Sequence, residues 1–222
     1  MKNILILVIV FFMLSCKQDR RVEKIKENIV KTEVDTLTVY NNVLNDLIEN
    51  RLYYRYLGRK WELLFLDLTR NKIDSTAYLK GINTLKDEVV KNDSLKGILY
   101  VDGVFDGYKE EIRLLDLAKD NSFDLEEVKL QIKKKNFYAV NSFKSNFVKF
   151  KKLRNPDSDK RKDEFEVGGI SFSKIVFNEG KDLGIMYFSF VCGEKCGEGS
   201  LALIKKVNGK WKVEEINALW KI

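Results

Sequence analysis

Two cysteines near the end of the chain are the residues best suited to chemistry. Cys192 and Cys196 flank Gly193-Glu194-Lys195 in a glycine-rich turn between two apolar runs. A disulfide between them would close a very small loop and add about 2 kcal/mol by the chain-entropy relation. Lys195 could instead lower the pKa of one thiol and make the pair redox-active, but thioredoxin-type motifs separate their cysteines by two residues. The pattern therefore favours a structural disulfide.

Catalysis is constrained by the absence of histidine, of which the chain has 0. This excludes Ser-His-Asp and Cys-His nucleophilic sites and every zinc site that contains histidine. Carboxylate pairs such as Glu194 with Glu198, or Glu126 with Glu127, are left as acid–base candidates, and solvated surface is their usual role. We therefore predict a protein that is not an enzyme, with no catalytic residue, no cofactor and no bound metal. A histidine-free hydrolase based on carboxylates is the less favoured alternative.

The N-terminus combines a short basic start with an apolar run over residues 4–14, too short to span a bilayer as a helix. The sequence Met13-Leu14-Ser15-Cys16 resembles the lipobox of bacterial lipoproteins. Met13 stands at the position where that family most often has leucine. The resemblance implies that residues 1–15 are a signal peptide and that Cys16 is acylated, by palmitate for example. Residues 16–21 would then be a lipidated tether. Lys17 in place of aspartate favours the outer membrane facing the periplasm, with surface exposure left open.

Composition and charge set the remaining bounds. The chain has 222 residues, 45% hydrophobic and 12% aromatic, which is enough to bury a sizeable core. The formal charge is +7, with basic runs at residues 133–135, 149–152 and 160–162. An exported protein does not meet nucleic acid, so we expect the membrane as a partner through the lipid anchor. The further partner is another envelope protein or an anionic lipid surface.

Residues 22–120 carry helical periodicity. One stripe runs through Val34, Tyr40 and Leu47, and a helix is predicted over residues 76–91 after Ser75 as N-cap. The spacing does not decide whether Asn50 and Gly58 break the first region or bend it. Two further stripes are predicted: a possible interaction stripe (Tyr54, Leu57, Trp61, Leu64) and a helix following residue 94 (Ile98, Val101, Phe105, Tyr108, Ile112, Leu115).

Residues 124–222 predict an α+β region. The Asp124 capping box opens a long helix toward Phe150, and a basic linker follows over residues 151–162. Beyond it the period becomes two, which predicts a four-stranded antiparallel meander over residues 165–222, packed on the long helix, with its last turn at Asn208-Gly209. The order of helix and meander resembles the cystatin-like and nuclear-transport-factor-like α+β folds. The resemblance is one of topology and carries no function.

The sequence thus predicts a lipid-anchored envelope protein that binds rather than catalyses. If it binds a protein, the interaction stripe should be partly exposed as a groove or patch. If it instead binds a small ligand, the stripe should be buried and a mostly apolar pocket should lie between sheet and helix.

Overall fold

The computed structural model describes residues 34–102, 116–118, 121, 123–132, 138–152 and 165–222. The predicted signal peptide, Cys16 and the tether lie outside the described residues, as does the linker beyond Lys152. The fold class is α+β, as predicted, with helices on a mixed sheet.

Helices dominate the first described segment. Aspartates open two of them: the side chain of Asp35 accepts a hydrogen bond from the backbone of Thr38, and Asp74 accepts one from Ala77 at 2.7 Å. Such caps satisfy backbone N–H groups that the first turn leaves without partners. The helix predicted over residues 76–91 is confirmed, although Asp74 rather than Ser75 is its cap. The helices of this segment are α1 (Thr36–Asn50), α2 (Tyr53–Leu57), α3 (Arg59–Thr69) and α4 (Ser75–Lys91).

The helical region is interrupted both after Asn50 and at Gly58. Helix α1 ends at Asn50, and the next helix starts only at Tyr53. Gly58 then ends α2 and precedes α3 with a φ of 53°, a conformation that glycine adopts without steric cost. The amphipathic pattern continues through both breaks, so periodicity alone could not locate them.

The sheet is larger than the predicted meander. Its strand order is β2-β1-β3-β5-β6-β7, with β4 paired to β5, so β2 and β7 are the outer strands. Strands β3, β5, β6 and β7 form the antiparallel meander that the sequence predicts, whereas β1 pairs in parallel with both β2 and β3. The strands are β1 (Gly97–Asp102), β2 (Val148–Lys152), β3 (Glu166–Phe172), β4 (Val176–Phe177), β5 (Leu183–Gly193), β6 (Cys196–Val207) and β7 (Lys210–Lys221).

The helical prediction for the segment after residue 94 is wrong where the structure describes it. Residues 97–102 form β1, and Phe105 to Leu115 lie outside the described residues. Ile98, Leu99 and Val101 are all buried, so both faces of the strand are covered. A parallel strand covered on both faces is a continuous apolar run, and its residues also satisfy helical spacing.

The long helix toward Phe150 is also wrong. Helix α5 is described over Leu125–Ile132, Val140–Ser142 form a 3₁₀ turn, and Phe150 lies in β2. The capping prediction is confirmed, since Asp124 Oδ1 accepts hydrogen bonds from the backbone N–H groups of Glu126 and Glu127 at 2.9 and 3.1 Å. Because β2 ends at Lys152, the first two residues of the predicted linker belong to the sheet.

Helices cover both faces of the sheet. The ring of Tyr40 in α1 contacts Phe172, the register partner of Phe188, with centroids 5.9 Å apart. Val128 in α5 packs in the cluster that contains Tyr187. Successive strand residues point to opposite faces, so Phe188 and Tyr187 place α1 and α5 on opposite sides of β5. This two-sided burial confirms β5 as a central strand.

The last hairpin has the predicted turn and register. Asn208 and Gly209 have φ values of 50° and 78°, and Val207 opposes Lys210. Both residues of a type I′ turn need positive φ. We expect Gly209→Ala to reduce the free energy of unfolding by about 1 kcal/mol in chemical denaturation. Lys210→Ala, at the exposed neighbouring position, should change it by less than about 0.5 kcal/mol, and equal effects would contradict the turn assignment.

Ser173 joins β3 to β5 by side chain and backbone. It is fully buried, its Oγ accepts a hydrogen bond from the Tyr187 backbone N–H at 2.8 Å, and its own N–H donates to the Tyr187 carbonyl at 2.9 Å. We expect Ser173→Ala to cost about 2 kcal/mol in thermal or chemical unfolding, because a buried N–H loses this acceptor. Ser171→Ala removes only a part-buried hydroxyl pair with Ser189 and should cost less than half as much.

Candidate functional site

Helices α3 and α4 form a hairpin with unusually little burial. No residue of α3 is buried, although six of its eleven residues are leucine, tryptophan or phenylalanine in the segment RKWELLFLDLT. The two helices approach closely at Gly81, where a Cβ atom would lie 2.8 Å from the Leu64 side chain. The hairpin is therefore held together by its inner face, and its outer apolar residues have no partner in a core.

Several large apolar side chains of the hairpin are exposed to solvent. Leu63 is 54% exposed, Phe65 and Leu66 are each 42% exposed, and Leu79 is 60% exposed. Leu63 and Leu66 lie three residues apart and are therefore neighbours on the surface of α3. Scattered exposed leucines are ordinary, but apolar residues that adjoin one another on one element indicate a contact surface.

A groove of about 510 Å³ lies between the two helices. Its walls are mostly apolar, and its charged residues carry both signs: Lys60 pairs with Glu88 at 2.7 Å and Asp67 with Lys72 at 3.0 Å. The groove is lined by Lys60, Leu63, Leu64, Asp67, Ala77, Lys80, Gly81, Thr84 and Leu85.

The predicted interaction stripe faces inward more than outward. Leu57 is buried, whereas Tyr54, Trp61 and Leu64 are half-buried. The Trp61 Nε1–H donates to the Tyr78 hydroxyl at 2.9 Å, which joins the stripe to α4. The exposed Leu63, Phe65 and Leu66 were not among the residues predicted from the sequence. Helical periodicity identifies the face of a helix that packs against its neighbours. The sequence signal for a second apolar face was that α3 has more apolar residues than one packed face requires.

The two cysteines form the second cluster of interest. The structure pairs Cys192 and Cys196 in a disulfide at the β5–β6 turn, with Cα atoms 5.1 Å apart, as predicted. Arg55 of α2 donates a hydrogen bond from Nη2 to Cys196 Sγ at 2.6 Å, across a sequence separation of 141 residues. A cavity of about 290 Å³ opens beside them, and its lining includes Arg55, Cys192, Lys195, Cys196, Glu198 and Lys221.

Burial perturbs titrating groups around α2: it raises the pKa of Tyr53 and affects Tyr56 and Lys86 as well. Tyr56 stacks on Phe147 with ring centroids 5.4 Å apart, its hydroxyl has no hydrogen-bond partner, and its burial raises the pKa of the phenol well above the usual value. Burial also lowers the pKa of Lys86, whose Nζ lies 5.0 Å from the ring centroid of Tyr53. The Glu49 carboxylate acts on two of these groups: its charge also raises the pKa of Tyr56, and it partly offsets the effect of burial on Lys86.

Within the described part of the chain, no three or more Cys, Asp or Glu side chains are placed to hold a metal ion. No helix in that part combines the length and the hydrophobicity that crossing a bilayer requires. Comparison of the chain with protein families, with curated proteins and with solved structures gives no match.

Proposed function

We propose that this protein is a lipid-anchored protein of the cell envelope that binds another envelope protein through the α3–α4 hairpin and catalyses no reaction there. The observation that carries the binding surface is the exposure of Leu63, Phe65 and Leu66 on a helix of which no residue is fully buried. Exposed apolar surface of this kind is stabilised when a partner removes it from water. The lipobox-like sequence ending at Cys16 supports the anchor and the compartment.

The partner is an amphipathic helix of another protein. A groove between two helices accepts the side chains of a third, which inserts apolar residues at helical spacing. The floor at Leu64, Gly81 and Leu85 supplies the apolar surface. Lys80 and Asp67 at the rim offer both charge signs, which suits the mixed polar face of a protein helix better than a uniformly anionic lipid surface.

The alternative of a small-ligand binder has less support. It requires the interaction stripe to be buried over a pocket between sheet and helix, whereas Tyr54, Trp61 and Leu64 are half-buried in the hairpin. The sheet faces at β5 are filled by side chains packed from α1 and α5. Neither observation favours a ligand cavity there.

Site-specific photocrosslinking in the native host tests the interface. A photoreactive amino acid at Leu63 and, separately, at Leu66 should each give one discrete adduct with the same protein, mapped to an amphipathic helix of that partner. The exposed Ser94, which lies outside the hairpin, is the control position and should give none. Crosslinks to lipid, to a second copy of the chain, or to no protein at all would each overturn the proposed interface.

A separate measurement tests the anchor. Mass spectrometry of the protein recovered from membranes should show Cys16 as the first residue, with acyl chains attached. An intact Met1 or a free Cys16 thiol would overturn the envelope assignment. It would not affect the interpretation of the crosslinking result. The two halves of the proposal therefore fail independently.

A further inference from the structure

Arg55 is placed where it would stabilise a Cys196 thiolate better than it stabilises the disulfide. Disulfide sulfur is a weak acceptor, yet it receives a hydrogen bond from the Nη2 of a guanidinium. The Arg55 Nε is buried without a hydrogen-bond partner, and no carboxylate of the described residues pairs with this side chain. The guanidinium also lies over the Tyr54 ring, with Cζ 4.8 Å from the ring centroid, but a ring face is a weaker partner than an anion. A thiolate at Cys196 would give this half-buried charge a negative partner.

From this geometry we infer that Cys192–Cys196 is a thiol–disulfide exchange site in which Cys196 is the leaving group, held as a thiolate by Arg55. Arginine beside a cysteine stabilises its ionised form, and a stabilised leaving thiolate departs faster. The neighbouring Lys195 adds a second positive charge. This inference goes beyond the proposed binding function and does not depend on it.

The exchange step is balanced and reversible. A substrate thiol loses its proton to solvent, and its thiolate attacks Cys192 Sγ. A sulfur–sulfur bond forms between the substrate and Cys192 while the Cys192–Cys196 bond breaks, and the electron pair of the broken bond stays on Cys196 Sγ. The substrate sulfur is oxidised to a mixed disulfide, and Cys196 is reduced to the thiolate that Arg55 holds.

The cavity beside the disulfide defines the class of substrate. Its volume of about 290 Å³ corresponds to about ten water molecules, so a small thiol fits and an extended chain does not. Arg55, Lys195 and Lys221 line it with positive charge, against one acidic side chain, that of Glu198. Both sulfur atoms belong to half-buried residues that line the same cavity. The substrate is therefore a small thiol that carries a carboxylate.

The site of attack can be read directly. We expect the full chain, treated briefly with 3-mercaptopropionate and quenched with N-ethylmaleimide, to carry the thiol on Cys192 and the maleimide on Cys196. Trypsin cleaves after Lys195, between the two cysteines, so mass spectrometry distinguishes the two adducts. Equal labelling, or the thiol on Cys196, would overturn the assignment of the leaving group.

Substitution of Arg55 tests its role. We expect Arg55→Met to make reduction by glutathione about tenfold less favourable, which corresponds to a reduction potential about 30 mV more negative. Its reduced form should also react about tenfold more slowly with iodoacetamide at pH 6.5, because less of Cys196 is ionised. Arg55→Lys should recover part of both losses, and Arg51→Met, at an exposed position, should cause neither. A change within twofold for Arg55→Met, or equal changes in both methionine variants, would overturn the inference, since a purely structural contact does not alter thiol ionisation.

Substrate charge is tested without altering Arg55. We expect exchange per thiolate to favour 3-mercaptopropionate over cysteamine. The ratio should fall about tenfold when the exposed Lys195 and Lys221 are both replaced by glutamine. The wild-type protein serves as reference, so the intrinsic reactivities of the probes cancel. An unchanged ratio would overturn the substrate class even if the Arg55 variants failed to fold.

Discussion

Replacing Gly168 with alanine is expected to lower the free energy of unfolding by about 3 kcal/mol. Gly168 has a φ of +145°, and a Cβ atom there would lie 2.6 Å from the Val191 carbonyl oxygen and 2.9 Å from the Phe190 ring. Backbone strain and overpacking each cost about 1 to 3 kcal/mol, and a backbone carbonyl in β5 cannot rotate away. Chemical denaturation with an unchanged m-value would measure the loss.

Gly193 provides a matched control for that substitution. It has the same φ of +145°, but nothing lies within 4 Å of the position that a Cβ atom would take. Gly193→Ala should therefore show the backbone strain alone, about 1 kcal/mol. If both variants lost the same stability, the close approach of β3 to β5 at Gly168 would not contribute, and the packing of this part of the sheet would need another explanation.

The double substitution Leu63→Asp and Leu66→Asp is expected to weaken capture of the partner by about 30-fold or more. Truncation or charge at a central apolar contact commonly costs about 2 kcal/mol in binding, which is a factor of about 30. Because both side chains are exposed, unfolding of the isolated protein should change by less than about 0.5 kcal/mol. Yield of the crosslinked complex and a denaturation curve measure the two quantities.

Leu57 separates loss of binding from loss of structure. It belongs to the predicted interaction stripe rather than to the exposed pair, and it is only 6% exposed. Leu57→Ala should reduce the free energy of unfolding by about 3 kcal/mol, through lost burial and the cavity that remains. Its effect on capture under native conditions should be small. Strong destabilisation by the aspartate pair, or undiminished capture, would contradict the proposed surface.

The sequence predicted best what depends on neighbours along the chain. The Asn208-Gly209 turn fixes its hairpin because both residues tolerate positive φ, and the alternation on either side then fixes the register. The Asp124 cap was equally local. For both features, the residues that determine the structure lie within a few positions of one another.

The parallel part of the sheet could not be predicted in this way. Gly97 of β1 pairs with Val148 of β2, and Leu99 pairs with Gly168 of β3, so each partner lies about fifty or more residues away along the chain. A short apolar strand between two such partners has no periodicity that distinguishes it from one turn of a buried helix. Tertiary pairing therefore overrode the helical spacing of Ile98 and Val101.

The candidate sites were predicted to different extents. The spacing of Cys192 and Cys196 indicated the disulfide, but the contact with Arg55 follows from how α2 sits against the β5–β6 turn, which no local pattern encodes. The interaction stripe stays a prediction: Leu57 is buried and the other members of the stripe are half-buried, whereas the exposed Leu63, Phe65 and Leu66 lie between them along the chain or next to them. The apolar pattern of a sequence predicts the face of a helix that packs inward. Apolar residues on the outer face are recognised only from their exposure in the folded structure.

Both outer strands of the sheet carry charges that discourage pairing with a strand of another molecule. Lys149 and Lys152 lie on β2, and Lys212, Glu214 and Lys221 lie on β7. A strand from another molecule that docked alongside would bring like charges together and strip water from ammonium groups. If the proposed lipid anchor holds many copies on one membrane surface, these charges would keep their sheets from pairing edge to edge.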